Sequence, residues 1–83
     1  MTILVTGATG FIGKKTVLQL AKRKLDIVAA DLDLGENKNK LINEYKKFGF
    51  DLKKLKFEKL DITNQDNIDE LFNKYSFEAV IHL

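Results

Sequence analysis

The sequence predicts an α/β fold built on a parallel sheet with helices on both faces. Three observations carry that prediction. Apolar residues recur with a period that switches between about 2 and about 3.6, in the order β-α-β-α-β-α-β. Strands joined by helical stretches rather than tight turns must run parallel, through right-handed crossovers. A glycine-rich turn, Gly7 to Gly13, falls between the first strand and the first helix.

The elements follow in order. Ile3-Leu4-Val5 is a short apolar β-type run ended by Gly7. From Phe11 to about Arg23 the pattern turns helical, with Gly13, Val17, Leu20 and Ala21 on one face. Asp26 to Asp31 reads as a second, buried strand. Gly35 punctuates the chain, and Leu41, Ile42, Tyr45 and Phe48 line one face of a second helix. Gly49 is placed to end that helix in the left-handed conformation. Leu55 to Leu60 reads as a third strand. Thr63 is the expected N-cap of a third helix, with Asp66 completing a pair like a capping box. Ile68, Leu71, Phe72 and Tyr75 give that helix its apolar stripe. Ala79 to Leu83 is a fourth strand, in which His82 is expected to be structural and half-buried.

Length and composition bound what such a chain does. Its 83 residues allow one small domain, with a core too modest for a wide stability margin. Cysteine is absent and histidine occurs once, so neither a disulfide framework nor a Cys/His metal cluster is available. That usage suits a reducing, cytoplasmic setting. No apolar stretch approaches the roughly 20 residues of a membrane span, and the N-terminal run lacks the basic flank of a signal peptide. A net charge of +2 is too balanced for a typical nucleic-acid binder. Lys53, Lys54, Lys56 and Lys59 crowd together without an interleaved aromatic stacking pattern, as on a solvated face around a strand. The chain stops inside an apolar strand whose edge and faces need cover, so the expectation is a fragment of a longer protein.

The turn Thr6-Gly7-Ala8-Thr9-Gly10-Phe11-Ile12-Gly13 carries the chemistry. Each glycine answers a separate demand. Gly7 permits the tight turn off the strand, Gly10 lets a pyrophosphate approach the backbone, and Gly13 allows close helix packing. The helix start then offers free N–H groups and a partial positive charge to phosphates. The spacing is G-x-x-G-x-x-G rather than G-x-G-x-x-G, and the strand–turn–helix context gives it meaning. A P-loop is excluded: its first glycine would fall on Ala8 and its magnesium-binding hydroxyl on Lys15. Lys14 and Lys15 either assist phosphate binding or reach into water. Asp31, 18 residues beyond Gly13, closes the second strand where an acid would accept hydrogen bonds from an adenosine ribose. Its charge also repels a 2′-phosphate, which favours NAD over NADP. Asp33 is a nearby competitor for the role.

These residues together resemble a known family. The turn Thr6 to Gly13, Asp31, Leu60-Asp61-Ile62-Thr63 and Val80-Ile81-His82-Leu83 are similar, in order, to the extended short-chain dehydrogenases/reductases of the NAD-dependent epimerase/dehydratase family. The resemblance covers the whole chain. It implies a Rossmann-type doubly wound sheet, truncated after the fourth strand, with residues 1–83 as the N-terminal part of an NAD(P)-binding domain. The Asp31 to Asp61 spacing and the segment Lys74 to Leu83 look like the UDP-glucose and UDP-glucuronate 4-epimerases.

The resemblance implies cofactor-binding roles for Gly7, Gly10, Phe11, Ile12 and Gly13 at the pyrophosphate, and for Asp31 and the following Leu32 at the ribose. Asp61 would bond the adenine amino group, Ile62 would pack on the ring, and Leu83 would begin a loop beside the cofactor. The alternative for Asp61 is a residue that merely leads into the third helix. Leu32 and Asp33 stand where epimerases often carry Asn after the ribose-binding acid, and Lys14 replaces a small polar residue. No catalytic residue is present: the family's Ser/Thr and Y-x-x-x-K would lie downstream. The implied parent is an NAD-dependent enzyme, expected to be a homodimer, that turns over a nucleotide-sugar through reversible hydride transfer at C4. A dehydratase or NAD(P)-dependent reductase of the same family, a non-catalytic dinucleotide module, and a complete small nucleotide-binding protein are the alternatives.

Overall fold

The apolar runs Ile3 to Val5 and Ile27 to Ala30 become strands because only a fully hydrogen-bonded backbone can be buried on both faces. A computed structural model describes residues 1–83. The strands are β1 (Thr2–Thr6), β2 (Asp26–Asp31), β3 (Leu55–Lys59) and β4 (Ala79–His82). The helices are α1 (Phe11–Ala21), α2 (Gly35–Phe48) and α3 (Gln65–Lys74), and a 3₁₀ turn at Leu52–Lys54 precedes β3. All strand pairs are parallel, and the sheet order is β3-β2-β1-β4. With the helices on its two faces, this is the Rossmann-like arrangement that the alternation of periods predicts.

Pleating sorts the side chains into two layers. Ile3, Val5, Ile27, Ala29 and Leu55 turn to one face, where Val17 and Ala21 of α1 and Leu41 and Tyr45 of α2 cover them. Leu4, Val28 and Ala30 turn to the other face, against Leu60 and Leu71. β1 and β2 are thus buried on both sides, which is why their sequences do not alternate with polar residues. The side chains of Leu4 and Ile27 are almost fully enclosed, so truncating either to Ala would cost about 2–5 kcal/mol.

The order of strands positions the site. The chain builds outward from β1 through β2 to β3, then crosses back to lay β4 on the other side of β1. Between β1 and β4 the winding reverses, and a crevice opens beyond the carboxyl ends of the two strands.

The helix ends show where the sequence reading holds and where it needs correction. Gly49 adopts φ 72°, ψ 25° and ends α2, with its own N–H and that of Phe50 donating to Lys46 O and Tyr45 O. Asn64, not Thr63, caps α3: its side chain accepts the Asn67 N–H at 3.1 Å. Thr63 instead donates to Asp61, so its hydroxyl is already committed. Asp66 lies in the first turn of α3 but makes no capping box with Thr63. Phe48 is also not part of the core. It is the last residue of α2, where the chain turns away at Gly49, and its exposed ring stacks on Phe50 at a centroid distance of 5.8 Å. Phe72, on the stripe expected for α3, is likewise half-exposed and meets Phe77 edge-on at 5.2 Å. His82 is exposed rather than half-buried, because β4 has a strand on one side only.

Candidate functional site

The glycine turn is built as its spacing requires, with one refinement. Gly7 has φ +67°, a left-handed value that carries the chain sharply off β1. A Cβ on Gly13 would fall 2.0 Å from the Gly7 carbonyl oxygen and 2.7 Å from the Ala8 carbonyl carbon. The close approach that Gly13 permits is therefore between α1 and the turn itself. A Cβ on Gly10 would meet only the Gly7 carbonyl oxygen, at 3.6 Å, an ordinary contact. Nothing inside the chain fills the space beside Gly10.

The start of α1 is electropositive. Lys14 N–H is the first to bond back into the helix, to Gly10 O at 2.9 Å, so the N–H groups of Phe11, Ile12 and Gly13 have no backbone partner. No side chain caps this end and no acid stands in its first turn. Uncapped N–H groups at a helix start, beside a glycine with open space, suit a phosphate. Phe11 and Ile12 are 70% and 60% exposed at this end. Lys15 Nζ lies over the Phe11 ring, 4.3 Å from its centroid, and so is not simply extended into water.

Next to the turn, a cleft of about 250 Å³ opens at the carboxyl ends of the strands. Gly7, Asp31, Leu32, Asp61, Ile62 and Leu83 line it, together with Thr6, Thr63 and His82. Six of the ten residues singled out from the sequence thus converge on one hollow. Gly10, Phe11, Ile12 and Gly13 stand at the helix start beside it rather than in its lining. A second hollow, of about 330 Å³, lies at the amino ends of the strands, around Tyr45, Phe50 and Lys54, away from the glycine turn.

The two acids of the cleft are held differently. Asp31 Oδ2 accepts the Thr9 N–H at 3.1 Å and the Thr9 hydroxyl at 2.8 Å, while Oδ1 accepts the Leu32 N–H at 2.8 Å. Asp61 Oδ1 accepts the hydroxyl and the N–H of Thr63, at 2.6 and 2.9 Å. Those two bonds, the hydroxyl's foremost, hold the Asp61 carboxyl below the usual carboxylate range. The Asp61 N–H is satisfied by Asn67 Oδ1 at 2.7 Å, which ties the residue to α3. Its Oδ2 is left without a partner in the chain. Asp33 makes no such approach: it is exposed and stands under Gly35.

Sequence reasoning did not single out Thr9, the hydroxyl between the first two glycines, although it is what joins the turn to Asp31. It also passed over the pair His82 Nδ1 and Thr6 Oγ1, which share a hydrogen bond across β1 and β4 at the floor of the cleft. A hydroxyl in a glycine turn, one strand away from an acid, is the signal that could have found the first.

A parallel sheet with a switch point, a glycine turn feeding a helix start, and acids at the carboxyl ends of successive strands define a dinucleotide-binding α/β protein. Residues 3–83 match the model of the NAD dependent epimerase/dehydratase family, and the chain belongs to that family. NAD is the cofactor of the family. UDP-glucose 4-epimerase 1 of Oryza sativa subsp. japonica is 36% identical over 81 residues, 98% of this chain and 23% of that protein. UDP-glucose 4-epimerase of Bacillus subtilis is 34% identical over 82 residues, 99% of this chain and 23% of that protein. The chain therefore spans about a quarter of the length of these relatives.

Solved structures agree on the fold. Yeast methylglyoxal/isovaleraldehyde reductase complexed with NADPH superposes with a TM-score of 0.75 at 28% identity, over 99% of this chain and 26% of that one. UDP-glucuronic acid 4-epimerase from Bacillus cereus, in complex with UDP-glucuronic acid and NAD, gives 0.67 at 29% identity, over all of this chain and 26% of that one.

Proposed function

We propose that this chain forms the adenosine and pyrophosphate half of the NAD site in a UDP-sugar 4-epimerase. The observation that carries the proposal is the convergence of Asp31 and Asp61 on one cleft beside an uncapped helix start. The residues present fit the cofactor. Gly10 leaves a space that a side chain would take up, and three N–H groups at the start of α1 lack acceptors.

On this reading, Phe11, Ile12 and Gly13 donate to the pyrophosphate. The remaining lone pair of Asp31 Oδ1 accepts a ribose hydroxyl, and Leu32 flanks it. Asp61, kept ionised by Thr63, offers Oδ2 to the adenine amino group. Ile62, more than half exposed at the cleft, packs on the ring, and Leu83 walls the opposite side. Bound NAD supplies the acceptance and return of a hydride. The work of this chain is to hold and orient, and no residue in it acts as base. The UDP-glucose 4-epimerase relatives support C4 of a UDP-sugar as the reacting centre in a longer parent.

Calorimetric titration of the chain with NAD and with UDP-glucose tests the reading. NAD binding, weakened by Asp61→Ala and without a matching response to UDP-glucose, is expected. Binding of UDP-glucose in preference to NAD would overturn the assignment of the cleft.

A further inference from the structure

We infer that Thr9 sets the cofactor preference of this chain by holding the Asp31 carboxylate in one orientation. The inference rests on the NAD reading above and adds a specificity-determining residue to it. Thr9 is only 2% exposed, so it is not a contact surface for a cofactor. Its hydroxyl and its N–H both donate to Asp31 Oδ2, at 2.8 and 3.1 Å. The Leu32 N–H fixes the other oxygen at 2.8 Å. The Ala8 N–H, one residue earlier in the turn, bonds Ala30 O at 3.2 Å, so the turn and the end of β2 are tied together as one piece.

A carboxylate offers about four lone-pair positions, and three here are taken by the chain itself. Two consequences follow. One position, on Oδ1, remains for a ribose hydroxyl, so recognition depends on a single well-aimed bond. The carboxylate is also unable to swing aside without breaking bonds made to a charged group, which are the stronger kind. A 2′-phosphate therefore meets a fixed negative charge. Without the Thr9 hydroxyl, Oδ2 would keep only the Thr9 N–H and Oδ1 the Leu32 N–H, and the carboxylate would be held less firmly against rotation. Thr9 thus acts through Asp31 as a positioning residue, and its effect is on discrimination more than on folding.

The test is calorimetric titration of the full chain with NAD and NADP, for wild type, Thr9→Val, Thr9→Ser, Thr9→Ala and Asp31→Ala, each first checked for a cooperative melt. Thr9→Val is expected to lower the NAD-to-NADP affinity ratio by about tenfold, the scale of one hydrogen bond to a charged group. Thr9→Ser, which keeps the donor, is expected to keep the wild-type ratio. If Thr9→Val does not fold, Thr9→Ala removes the same hydroxyl with less bulk and carries the same expectation. A wild-type ratio in the hydroxyl-lacking variants, with the ratio lost in Asp31→Ala, would overturn the role of Thr9 and leave the ribose reading intact. An unchanged ratio in Asp31→Ala, or no binding of either cofactor by the folded wild type, would overturn the ribose reading and the inference with it.

Discussion

Gly13 and Gly7 touch through space no side chain could occupy: a Cβ on Gly13 would lie 2.0 Å from the Gly7 carbonyl oxygen. Gly10, between them, has no such neighbour inside 3.6 Å. On the proposed reading of the site, the two glycines separate folding from binding. Gly13→Ala must push α1 off the turn, and a loss of about 3 kcal/mol is expected, at the upper end of overpacking costs. Gly10→Ala is expected to leave the melting temperature unchanged or slightly raised, because φ −70° and ψ 176° suit alanine. It should nevertheless weaken NAD binding. Thermal melts and NAD titration of the two variants check the contrast.

Acid should loosen the outer side of the sheet through Glu58. Its Oε2 accepts the Lys74 ammonium at 2.7 Å and the Tyr75 hydroxyl at 2.6 Å. Burial pushes the Glu58 carboxyl up, but the bonds from Lys74 and Tyr75, with the lysine charge, outweigh it and hold the group below its ordinary range. A depressed carboxylate contributes stability that is present above its unfolded pKa and is lost as pH falls through the folded value. The melting temperature of wild type is thus expected to drop through the acid carboxylate range and below it. Glu58→Gln should have a flatter acid limb and a lower neutral melting temperature. Melts recorded from neutral to acid pH for both chains decide this.

Tyr45 presents an unusual expectation. It is 1% exposed on the core face of α2, yet its hydroxyl has no hydrogen-bond partner. Burial pushes its pKa up to about 12, so the phenol stays protonated at neutral pH. An unsatisfied buried hydroxyl opposes folding, while the ring packs edge-on against Phe50 at 5.5 Å. Tyr45→Phe is expected to melt at the wild-type temperature or above it. Tyr45→Ala should lose about 3–5 kcal/mol, the cost of emptying an aromatic site. Chemical denaturation curves of the two variants check both signs.

The cap of α3 gives a simpler case. Asn64→Ala removes the acceptor for the Asn67 N–H and should cost about 1 kcal/mol. Thr63→Ala removes no helix bond but frees Asp61 Oδ1 of its hydroxyl donor. It is expected to disturb stability less and NAD binding more.

Much of this was legible in the sequence because the signals were physical requirements with one solution. The strands were legible because runs such as Ile27 to Ala30, buried on both faces, have to be apolar throughout. Gly49 was legible because a helix ending in the left-handed region selects glycine. Asp31 was legible from its distance to the turn, and it does line the cleft. What was missed depended on competition between neighbours. Thr63 and Asn64 are both competent caps, and the contest was decided by Asp61 engaging Thr63 first. Phe48 and Phe72 sit at apolar stripe positions, but a stripe does not say how far the sheet beneath it extends. Thr9 was passed over because its partner is 22 residues away, and only the parallel pairing of β1 with β2 brings the two together.

On the proposed function, the cleft at the carboxyl ends of the strands takes the adenosine half of NAD. The most direct measurement is a titration of the isotopically labelled chain with NAD, followed by backbone amide chemical shifts. Binding of NAD in the cleft predicts shifts clustered at Gly7, Gly10 to Gly13, Asp31, Leu32, Asp61, Ile62 and Leu83. Shifts clustered instead around Tyr45, Phe50 and Lys54, at the amino ends of the strands, would contradict it.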